Sequence, residues 1–259
     1  MENTPVKNTT NLLEIAMEAE QYSPVTNMLS ASRLLAIGNY LELRVGQTVI
    51  DCGCGRGEVL CLWAKYFGIS GVGVDASASA IANATALAER EGAGDKVHFV
   101  HRNMREYEMH EKAFDVAACL GASMCFGGFE PTVCELKNMI ARGGTIVIGE
   151  PFFTTHDVPA ELKDYEGDCH TETELFDMVR AAGCEVGYYS RASQDEWERY
   201  VFNSNMRRDG NKEFLDTLRN MPNGPEREQV RAKGRRWQDM YLRYRQKWQG
   251  MAFMTIHPG

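Results

Sequence analysis

A short glycine-rich run carries the strongest chemical signal in this sequence. A Val-Ile pair typical of the end of a buried strand is followed at once by Asp51. Gly53, Gly55 and Gly57 then occupy every second position. Glycines at this spacing let a backbone turn tightly off a strand and bring its amides close to a ligand, where a Cβ atom would collide. Segment 49–57 therefore predicts a ligand-binding turn.

A second acid, Asp75, ends the next apolar run, residues 71–74. This order of elements is typical of one nucleoside-binding half of a doubly wound α/β fold: a strand, a glycine turn, a helix, a second strand and an acid. In that arrangement the second acid accepts hydrogen bonds from both ribose hydroxyls. For Asp51 the sequence leaves two compatible roles open, contact with the ligand and N-capping of the following helix.

The missing motifs narrow the choice of nucleoside. A dinucleotide fingerprint needs Gly-x-Gly-x-x-Gly, but the sixth position is Glu58 counting from Gly53 and Leu60 counting from Gly55. The sequence also contains no Gly-x-x-x-x-Gly-Lys-Ser/Thr phosphate loop. Glu58 would place a carboxylate on the first turn of the helix, which disfavours a pyrophosphate but suits a ligand with a sulfonium and an amino group.

The pattern Asp-x-Gly-x-Gly-x-Gly with a later strand-end acid resembles the S-adenosylmethionine site of class I methyltransferases. The general resemblance covers about residues 20–190, and segments 114–123, 126–130 and 149–152 are similar to a bacterial branch of small-molecule-type enzymes. It implies S-adenosylmethionine as cofactor, S-adenosylhomocysteine as product, and contacts from Asn103 to the adenine amino group and from Met104 to the ring. The implied cofactor-binding residues are Asp51, Gly53, Cys54, Gly55, Gly57, Asp75, Ala76, Asn103, Met104 and Leu120.

Alternating strands and helices must position these residues. Such alternation predicts an α/β fold with a Rossmann-like, doubly wound parallel sheet. The resemblance adds a final antiparallel strand, giving seven strands with a helical lid inserted between the last two. The predicted strands are 47–52, 70–75, 97–100, 114–120, 145–149, 185–189 and 251–256, with a turn at 142–144 and an irregular segment at 151–168.

Four segments follow from this pattern. Residues 1–45 contain helices, at 11–20 and 27–41, that are expected to cover the cofactor site, and residues 46–192 form the α/β core. Residues 193–249 form the lid, because a connection of that length is too long to be structureless. Its predicted helices are 194–205, 211–219 and 225–249, and residues 250–259 add the final strand.

Candidate catalytic residues follow the fifth strand. Glu150 lies at its carboxyl end, where ligands of open α/β sheets gather, and could orient or deprotonate an acceptor or form a structural salt bridge. His156 and His170 follow in the irregular segment. Either could act as a general base near neutral pH or be an ordinary loop histidine. Glu150 and His156 are the two candidates that we carry forward.

Aromatic residues suggest where an acceptor binds. Trp237, Tyr241, Tyr244 and Trp248 recur at helical spacing and are expected on one face of the lid. This face could pack on the core or form an aromatic wall that also stabilises a sulfonium by cation–π contact. The candidate substrate-binding residues are Tyr22, Trp197, Tyr200 and Tyr241.

Composition limits the partners. A formal net charge of −8 over 259 residues argues against general nucleic-acid binding, although residues 227–247 are rich in lysine and arginine. That basic segment could be a solvated face or could attract an anionic substrate or RNA. Eight cysteines, a polar start and no bilayer-spanning apolar run predict a cytoplasmic protein that does not enter a membrane. Cys52 and Cys54 have no second pair at zinc spacing, so no metal is expected.

The sequence thus predicts an S-adenosylmethionine-dependent methyltransferase that methylates a small molecule by in-line displacement, as a monomer or homodimer. Two alternatives remain open. One is an RNA or protein methyltransferase that uses the basic lid helix. The other is a non-catalytic module that binds S-adenosylmethionine.

Overall fold

A computed structural model describes residues 28–108, 113–203 and 218–259. Its centre is a seven-stranded sheet with the order β3-β2-β1-β4-β5-β7-β6. Strand β7 runs antiparallel to both β5 and β6, and the other pairings are parallel. The predicted seven-stranded, doubly wound fold is confirmed. The strands are β1 Thr48–Cys52, β2 Ser70–Asp75, β3 Val97–His101, β4 Phe114–Leu120, β5 Ile140–Phe153, β6 Cys184–Arg191 and β7 Gln249–Pro258.

Helices cover both faces of the sheet, and two large hydrophobic clusters fill the space between the layers. The fully buried Trp63 joins two helices of one face, because its Nε1 donates a hydrogen bond to the Leu34 carbonyl at 2.9 Å. The helices are α1 Ala31–Tyr40, α2 Glu58–Phe67, α3 Ala78–Arg90, α4 Phe129–Met139, α5 Ala160–Glu166, α6 Glu172–Ala181, α7 Gln194–Asn203, α8 Pro225–Met240 and α9 Gln246–Trp248.

The chain reverses its winding direction at the centre of the sheet. Strands β2 and β3 lie on one side of β1, whereas β4 and β5 lie on the other side. The loops that leave the carboxyl ends of β1 and β4 therefore diverge and open a crevice, which is the usual ligand site of such sheets.

Three predicted element bounds are wrong. The segment 142–144 is not a separate turn, because β5 begins at Ile140 and a register shift in its pairing with β4 absorbs Gly143 at φ +80°. The segment 151–168 is not wholly irregular, since it contains α5. The predicted helix over 225–249 changes to a π-helical segment at Tyr241–Arg245. The helix predicted at 11–20 and most of the one at 211–219 lie outside the described residues.

Helices α7, α8 and α9 lie between β6 and β7 in the chain. Whether this segment acts as a lid stays a prediction. In the part of the chain that the structure describes, no helix has both the length and the apolar character needed to cross a bilayer.

Candidate active site

The glycine turn between β1 and α2 adopts a backbone that favours glycine. Gly53, Gly55 and Gly57 have φ angles of +73°, +54° and +74°, in the left-handed region. The amides of Gly53 and Cys54 both donate to the Val74 carbonyl, at 2.8 and 3.1 Å. These bonds fold the turn against the end of β2.

The three glycines differ in what surrounds them. A Cβ atom on Gly53 would lie 2.4 Å from the Ala122 methyl group, and one on Gly57 would lie 2.4 Å from the Phe99 ring. A Cβ atom on Gly55 would meet nothing within 4 Å. Packing of the protein therefore requires Gly53 and Gly57, whereas Gly55 leaves space that a ligand can use.

Asp75 anchors this turn. Its Oδ2 accepts a hydrogen bond from the Gly55 amide at 2.9 Å, and its Oδ1 accepts one from the Ser77 amide at 2.8 Å. Each carboxylate oxygen has a second lone pair, so both can still accept a ligand hydroxyl. Asp75 thus organises the turn as well as offering the acceptors expected for a ribose.

Asp51 is buried next to other acids. It is only 2% exposed, and burial, followed by the charges of Glu58, Asp75 and Cys125, raises its pKa to about 7. Its predicted capping role is wrong, because Gly57 is the N-cap of α2. A buried acid surrounded by negative groups favours binding of a cation.

A cavity of about 350 Å³ lies beside the glycine turn, at the ends of β2 and β4. The structure brings five of the predicted cofactor residues together in its lining: Gly53, Asp75, Ala76, Asn103 and Met104. Its other lining residues are Val74, Arg105, Ala122, Met124 and Cys125.

The remaining predicted cofactor residues lie outside that lining. Asp51 and Cys54 are buried, Gly55 and Gly57 belong to the turn, and Leu120 is packed into the core at the end of β4.

Asn103 and Met104 have distinct structural roles at this cavity. The Asn103 Oδ1 accepts a hydrogen bond from the Arg105 amide at 3.1 Å, which caps the short 3-10 turn Met104–Glu106. Met104 is buried and also packs in the hydrophobic core. Neither role excludes the predicted contacts with an adenine.

Glu150 forms a second buried acidic site, on β5. The Ser123 hydroxyl donates to its Oε1 at 2.9 Å, whereas its buried Oε2 has no hydrogen-bond partner among the described residues. Burial raises the pKa of Glu150 to about 7. The charge of Asp168 adds to this shift, whereas the hydrogen bond from Ser123 opposes it. A hydrogen bond of 2.9 Å from the Gly121 amide to the Gly149 carbonyl joins the end of β4 to β5. Strand β5 continues to Phe153, so the predicted position of Glu150 at the carboxyl end of the strand is wrong.

Other buried polar side chains are incompletely paired. Arg245 is buried and pairs with Glu166 at 2.6 Å, but its Nη1 has no hydrogen-bond partner in the described part of the chain, and neither has the amide of the buried Gln249. Burial and Glu166 raise the pKa of the Cys169 thiol to about 12, although Gln249 and Arg245 oppose the shift.

The histidines lie outside the cavity lining. His156 has a side chain that is 78% exposed and lies 3.9 Å from Glu174, and His170 lies 3.5 Å from Asp168. The structure therefore separates His156 from the cavity lining that holds the predicted cofactor residues.

The predicted aromatic face is split. Trp197 and Tyr241 are buried in the main hydrophobic cluster with ring centroids 6.2 Å apart, and Tyr200 packs against Trp237 beside them. Tyr244 and Trp248 instead pack on a separate cluster around Leu162. The expectation of one common face is wrong, because the π-helical segment changes the angular spacing of the residues that follow it.

These positions favour core packing over a substrate wall for Trp197, Tyr200 and Tyr241. None of the three lines the cavity beside the glycine turn. Tyr22 lies outside the described residues.

Residues 43–204 match the family described as a methyltransferase domain. The chain belongs to this methyltransferase family. It is 33% identical over 187 residues to the uncharacterised protein YjhP of Escherichia coli K12, a match that covers 70% of this chain and 75% of that protein.

Two solved structures are also similar to this methyltransferase. One is a SAM-dependent methyltransferase from Thiobacillus denitrificans in complex with S-adenosyl-L-homocysteine, at 27% identity and a TM-score of 0.82, covering 99% of this chain and 100% of that one. The other is a SAM-dependent methyltransferase from Geobacter sulfurreducens, also in complex with S-adenosyl-L-homocysteine, at 28% identity and a TM-score of 0.78, with full coverage of both chains.

The protein is an S-adenosylmethionine-dependent methyltransferase. Its residues suit this cofactor: the turn leaves open space at Gly55, the adjoining cavity has the volume of a ligand pocket, and the buried Asp51 favours a cation. The individual cofactor contacts stay predictions.

Replacing Asp75 by alanine should weaken binding of S-adenosylhomocysteine to this methyltransferase by about 1–3 kcal/mol, because ribose acceptors and the anchor of Gly55 are lost together. Calorimetric titration measures the change. Asp95→Ala removes one exposed carboxylate just before β3 and serves as the control. Unchanged affinity in Asp75→Ala would contradict the ribose assignment.

Binding of S-adenosylmethionine should release a proton from Asp51 near pH 7. The cationic cofactor lowers the pKa of a carboxyl that is about half protonated at that pH, so about half a proton per site should leave. Titrations in two buffers with different ionisation enthalpies measure this number. Glu150→Gln should retain the release and Asp51→Asn should lose it. If Glu150→Gln lost the proton release instead, Asp51 would not be the acid that releases the proton.

Sequence reasoning missed several residues of the methyltransferase site. Ala122, Ser123 and Met124 follow β4, and their residue types did not indicate a role in the site. Their only signal was their position after a strand that ends at the crevice.

Proposed function

We propose that this methyltransferase acts on a small polar molecule whose nucleophilic group binds beside Glu150. The observation that carries the proposal is the half-satisfied carboxyl of Glu150, which is buried with one oxygen held by Ser123 and the other without a described partner. A buried polar atom of this kind costs free energy unless a ligand or water pairs with it. Such groups in a crevice are typical of functional sites.

Glu150 is suited to accept the proton that the nucleophile must lose. S-adenosylmethionine would supply a methyl group on a sulfonium, and S-adenosylhomocysteine, a neutral thioether, would be the leaving group of the in-line displacement. Ser123 holds Oε1, so Oε2 is the atom that can accept a hydrogen bond from an acceptor O–H or N–H group. A pKa of about 7 lets the carboxylate form near neutral pH and take the proton.

Alignment supplies the rest of the catalysis. Holding the acceptor and the methyl group in line, away from water, can contribute about 7–11 kcal/mol. The Gln249 amide and Arg245 Nη1, which are buried without described partners, are proposed to bind polar groups on the acceptor. These groups support a polar acceptor over a purely apolar one.

The basic segment gives little support to an RNA acceptor. Arg231 pairs with Glu228, Arg245 is buried against Glu166, and Arg236 lies over the Tyr165 ring. A cleft of about 390 Å³ beside α8 is lined by acids as well as bases, namely Glu161, Glu228 and Asp239 with Arg235, Arg236 and Arg243. Mixed charges of this kind support a solvated face.

Residues 193–249 are proposed to cover the acceptor as a lid, together with helix α1. Glu196 on α7 accepts hydrogen bonds from the Ser30 amide and hydroxyl, at 2.9 and 2.7 Å, and pairs with Arg33 at 3.0 Å. Although burial opposes it, these partners and the Ser193 amide lower the pKa of Glu196 to about 2. The ion pair thus links the lid to the segment that precedes the core.

The test begins with calorimetric titration of S-adenosylmethionine, S-adenosylhomocysteine and NAD, the last as a control. Micromolar binding of the first two then justifies a screen of small amines, hydroxy compounds, thiols and carbon acids, with total RNA and a mixture of proteins alongside. Formation of S-adenosylhomocysteine is the readout. Turnover with a small molecule supports the proposal, whereas turnover with RNA or protein alone would overturn it.

A further inference from the structure

Two cysteines adjoin the cofactor cavity and have no role in the proposed methyl transfer. All eight cysteines of the chain are free thiols. Cys119 is fully buried near the end of β4, and Cys125 ends the short 3-10 turn Ser123–Cys125 that follows this strand. Cys125 lines the cavity, whereas Cys119 lies behind it in the core.

The thiol of Cys125 lies directly against the glycine turn. A Cβ atom placed on Gly53 would be 3.4 Å from its Sγ. The thiol donates a hydrogen bond to the Ala122 carbonyl at 2.5 Å, so its position is fixed by the backbone of its own turn. A group added to this sulfur would therefore compete with a ligand for space in the 350 Å³ cavity.

The surroundings of Cys125 lower the pKa of its thiol. A hydrogen bond from the Cys119 thiol lowers the pKa of Cys125, and the backbone amide of Cys125 and the charge of Arg105 lower it further. Burial and the charge of Asp75 oppose this shift. The same contact, with burial, raises the pKa of Cys119. The thiolate is the reactive form of cysteine, and Cys125 packs against the hydrophobic cluster that contains Cys119, so a neighbouring thiol is available to resolve an oxidised Cys125.

We propose that Cys125 is a site of covalent thiol modification inside the cofactor cavity, reactive toward peroxides and small soft electrophiles, with Cys119 as its resolving thiol. This inference concerns the cofactor side of the crevice and does not depend on the identity of the acceptor. Modification and cofactor binding are mutually exclusive, because both need the same space.

The oxidation is a two-electron reaction with hydrogen peroxide. The Cys125 thiolate attacks one peroxide oxygen, the O–O bond breaks, and hydroxide leaves with sulfenic acid formed on Cys125. The Cys119 sulfur then attacks the Cys125 sulfur and forms the disulfide, and the sulfenic oxygen leaves as water with the proton from Cys119. Two thiols and one peroxide thus yield one disulfide and two water molecules.

Alkylation tests the reactivity and its link to the cofactor. The protein is treated with iodoacetamide at pH 7, with and without saturating S-adenosylhomocysteine, and labelling of each cysteine is followed by peptide mass spectrometry. Cys134, which is exposed on α4, is the internal control. S-adenosylhomocysteine should slow labelling of Cys125 by at least about tenfold and leave Cys134 unchanged, since only Cys125 lines the cavity.

Two results of this experiment would overturn the proposal. One is labelling of Cys125 that is as slow as that of the buried Cys61. The other is unprotected labelling of Cys125 at a concentration of S-adenosylhomocysteine that calorimetry shows to be bound. Because both readouts are independent of an acceptor, failure here is distinct from failure of the proposed function.

Peroxide treatment tests the resolving role of Cys119. We expect a Cys119–Cys125 linked peptide, loss of S-adenosylhomocysteine affinity and recovery with dithiothreitol. In Cys119→Ser the linked peptide should be absent, and longer exposure should make the loss irreversible because sulfenic acid is oxidised further. Affinity in Cys125→Ser should no longer respond to peroxide, relative to its own untreated value, while Cys134→Ser should respond like the wild type. A disulfide to a different cysteine would contradict the assignment.

Discussion

Replacing Gly55 by valine should abolish binding of S-adenosylhomocysteine and leave the methyltransferase folded. Gly55 has φ +54° and open space where its Cβ would stand, so a side chain there meets no protein atom, and we expect it to enter the space that the cofactor needs. We expect affinity to fall by at least about 100-fold, or about 2.8 kcal/mol. Calorimetric titration measures the affinity, and circular dichroism with a urea titration measures the fold.

The matched control for this change is Gly92→Val. Gly92 also has a positive φ, of +68°, and open space around its Cβ position, but it lies after α3, outside the glycine turn between β1 and α2. Both variants carry the cost of a left-handed β-branched residue, about 1–2 kcal/mol of stability. Only Gly55→Val should lose binding. Equal affinities in the two variants would show that the cofactor binds elsewhere.

Replacing Glu150 by glutamine should lower turnover by about 100- to 10,000-fold, the range expected for a lost general base. Glutamine keeps the shape of the side chain and can still pair with Ser123, but it cannot take a proton. The rate of S-adenosylhomocysteine formation, with an acceptor from the screen, measures the effect. Affinity for S-adenosylhomocysteine should not change. An unchanged rate would restrict Glu150 to a structural role.

The pH dependence of the rate gives a separate test of Glu150. Because the carboxylate is the active form and its pKa is about 7, kcat/KM of the wild type should rise with pH through about 7. The Ser123 bond lowers this pKa, so Ser123→Ala should move the rise to higher pH. Glu150→Gln should lack the rise altogether. A rise that persists in Glu150→Gln would assign it to another group.

The same buried carboxyl should make stability depend on pH. Burial raises the pKa of Glu150 from 4.5 to about 7, so the folded protein keeps a proton that the unfolded chain releases. Its contribution is complete below about pH 4.5 and is lost as pH rises through about 7, a change of about 3 kcal/mol. Glu150→Gln should therefore gain stability over the wild type between pH 5 and pH 8, measured by urea unfolding. An equal pH dependence in both proteins would contradict the buried, protonated state.

The fold was predictable because its determinants are local in the chain. Apolar runs of strand length alternate with helical segments, and this alternation permits few arrangements other than a doubly wound sheet. Most strand bounds were correct within a few residues. The exceptions arose where long-range pairing decided the structure, as at β5, whose partner β4 extends the strand back to Ile140 through a register shift.

The cofactor side of the crevice was predictable for a related reason. Turn, strand and acid follow one another within segment 49–75, so residue types and spacing alone indicated a nucleoside-binding half. The structure added what each residue does. Neighbouring side chains leave no room for a Cβ atom at Gly53 or Gly57, whereas Gly55 borders open space. Asp75 anchors the turn by accepting a hydrogen bond from the Gly55 amide.

The proposed acceptor side depends on tertiary structure, because its residues are far apart in sequence. The pairing of Ser123 with Glu150 joins the 3-10 turn after β4 to strand β5. The π-helical segment directs Tyr241 and Tyr244 into different clusters, which helical periodicity does not anticipate. The sequence by itself thus determined the fold and the class of cofactor, which depend on local order. Only the packing of distant segments determined which acids, thiols and aromatic rings lie together, because such contacts leave no fixed spacing in the chain.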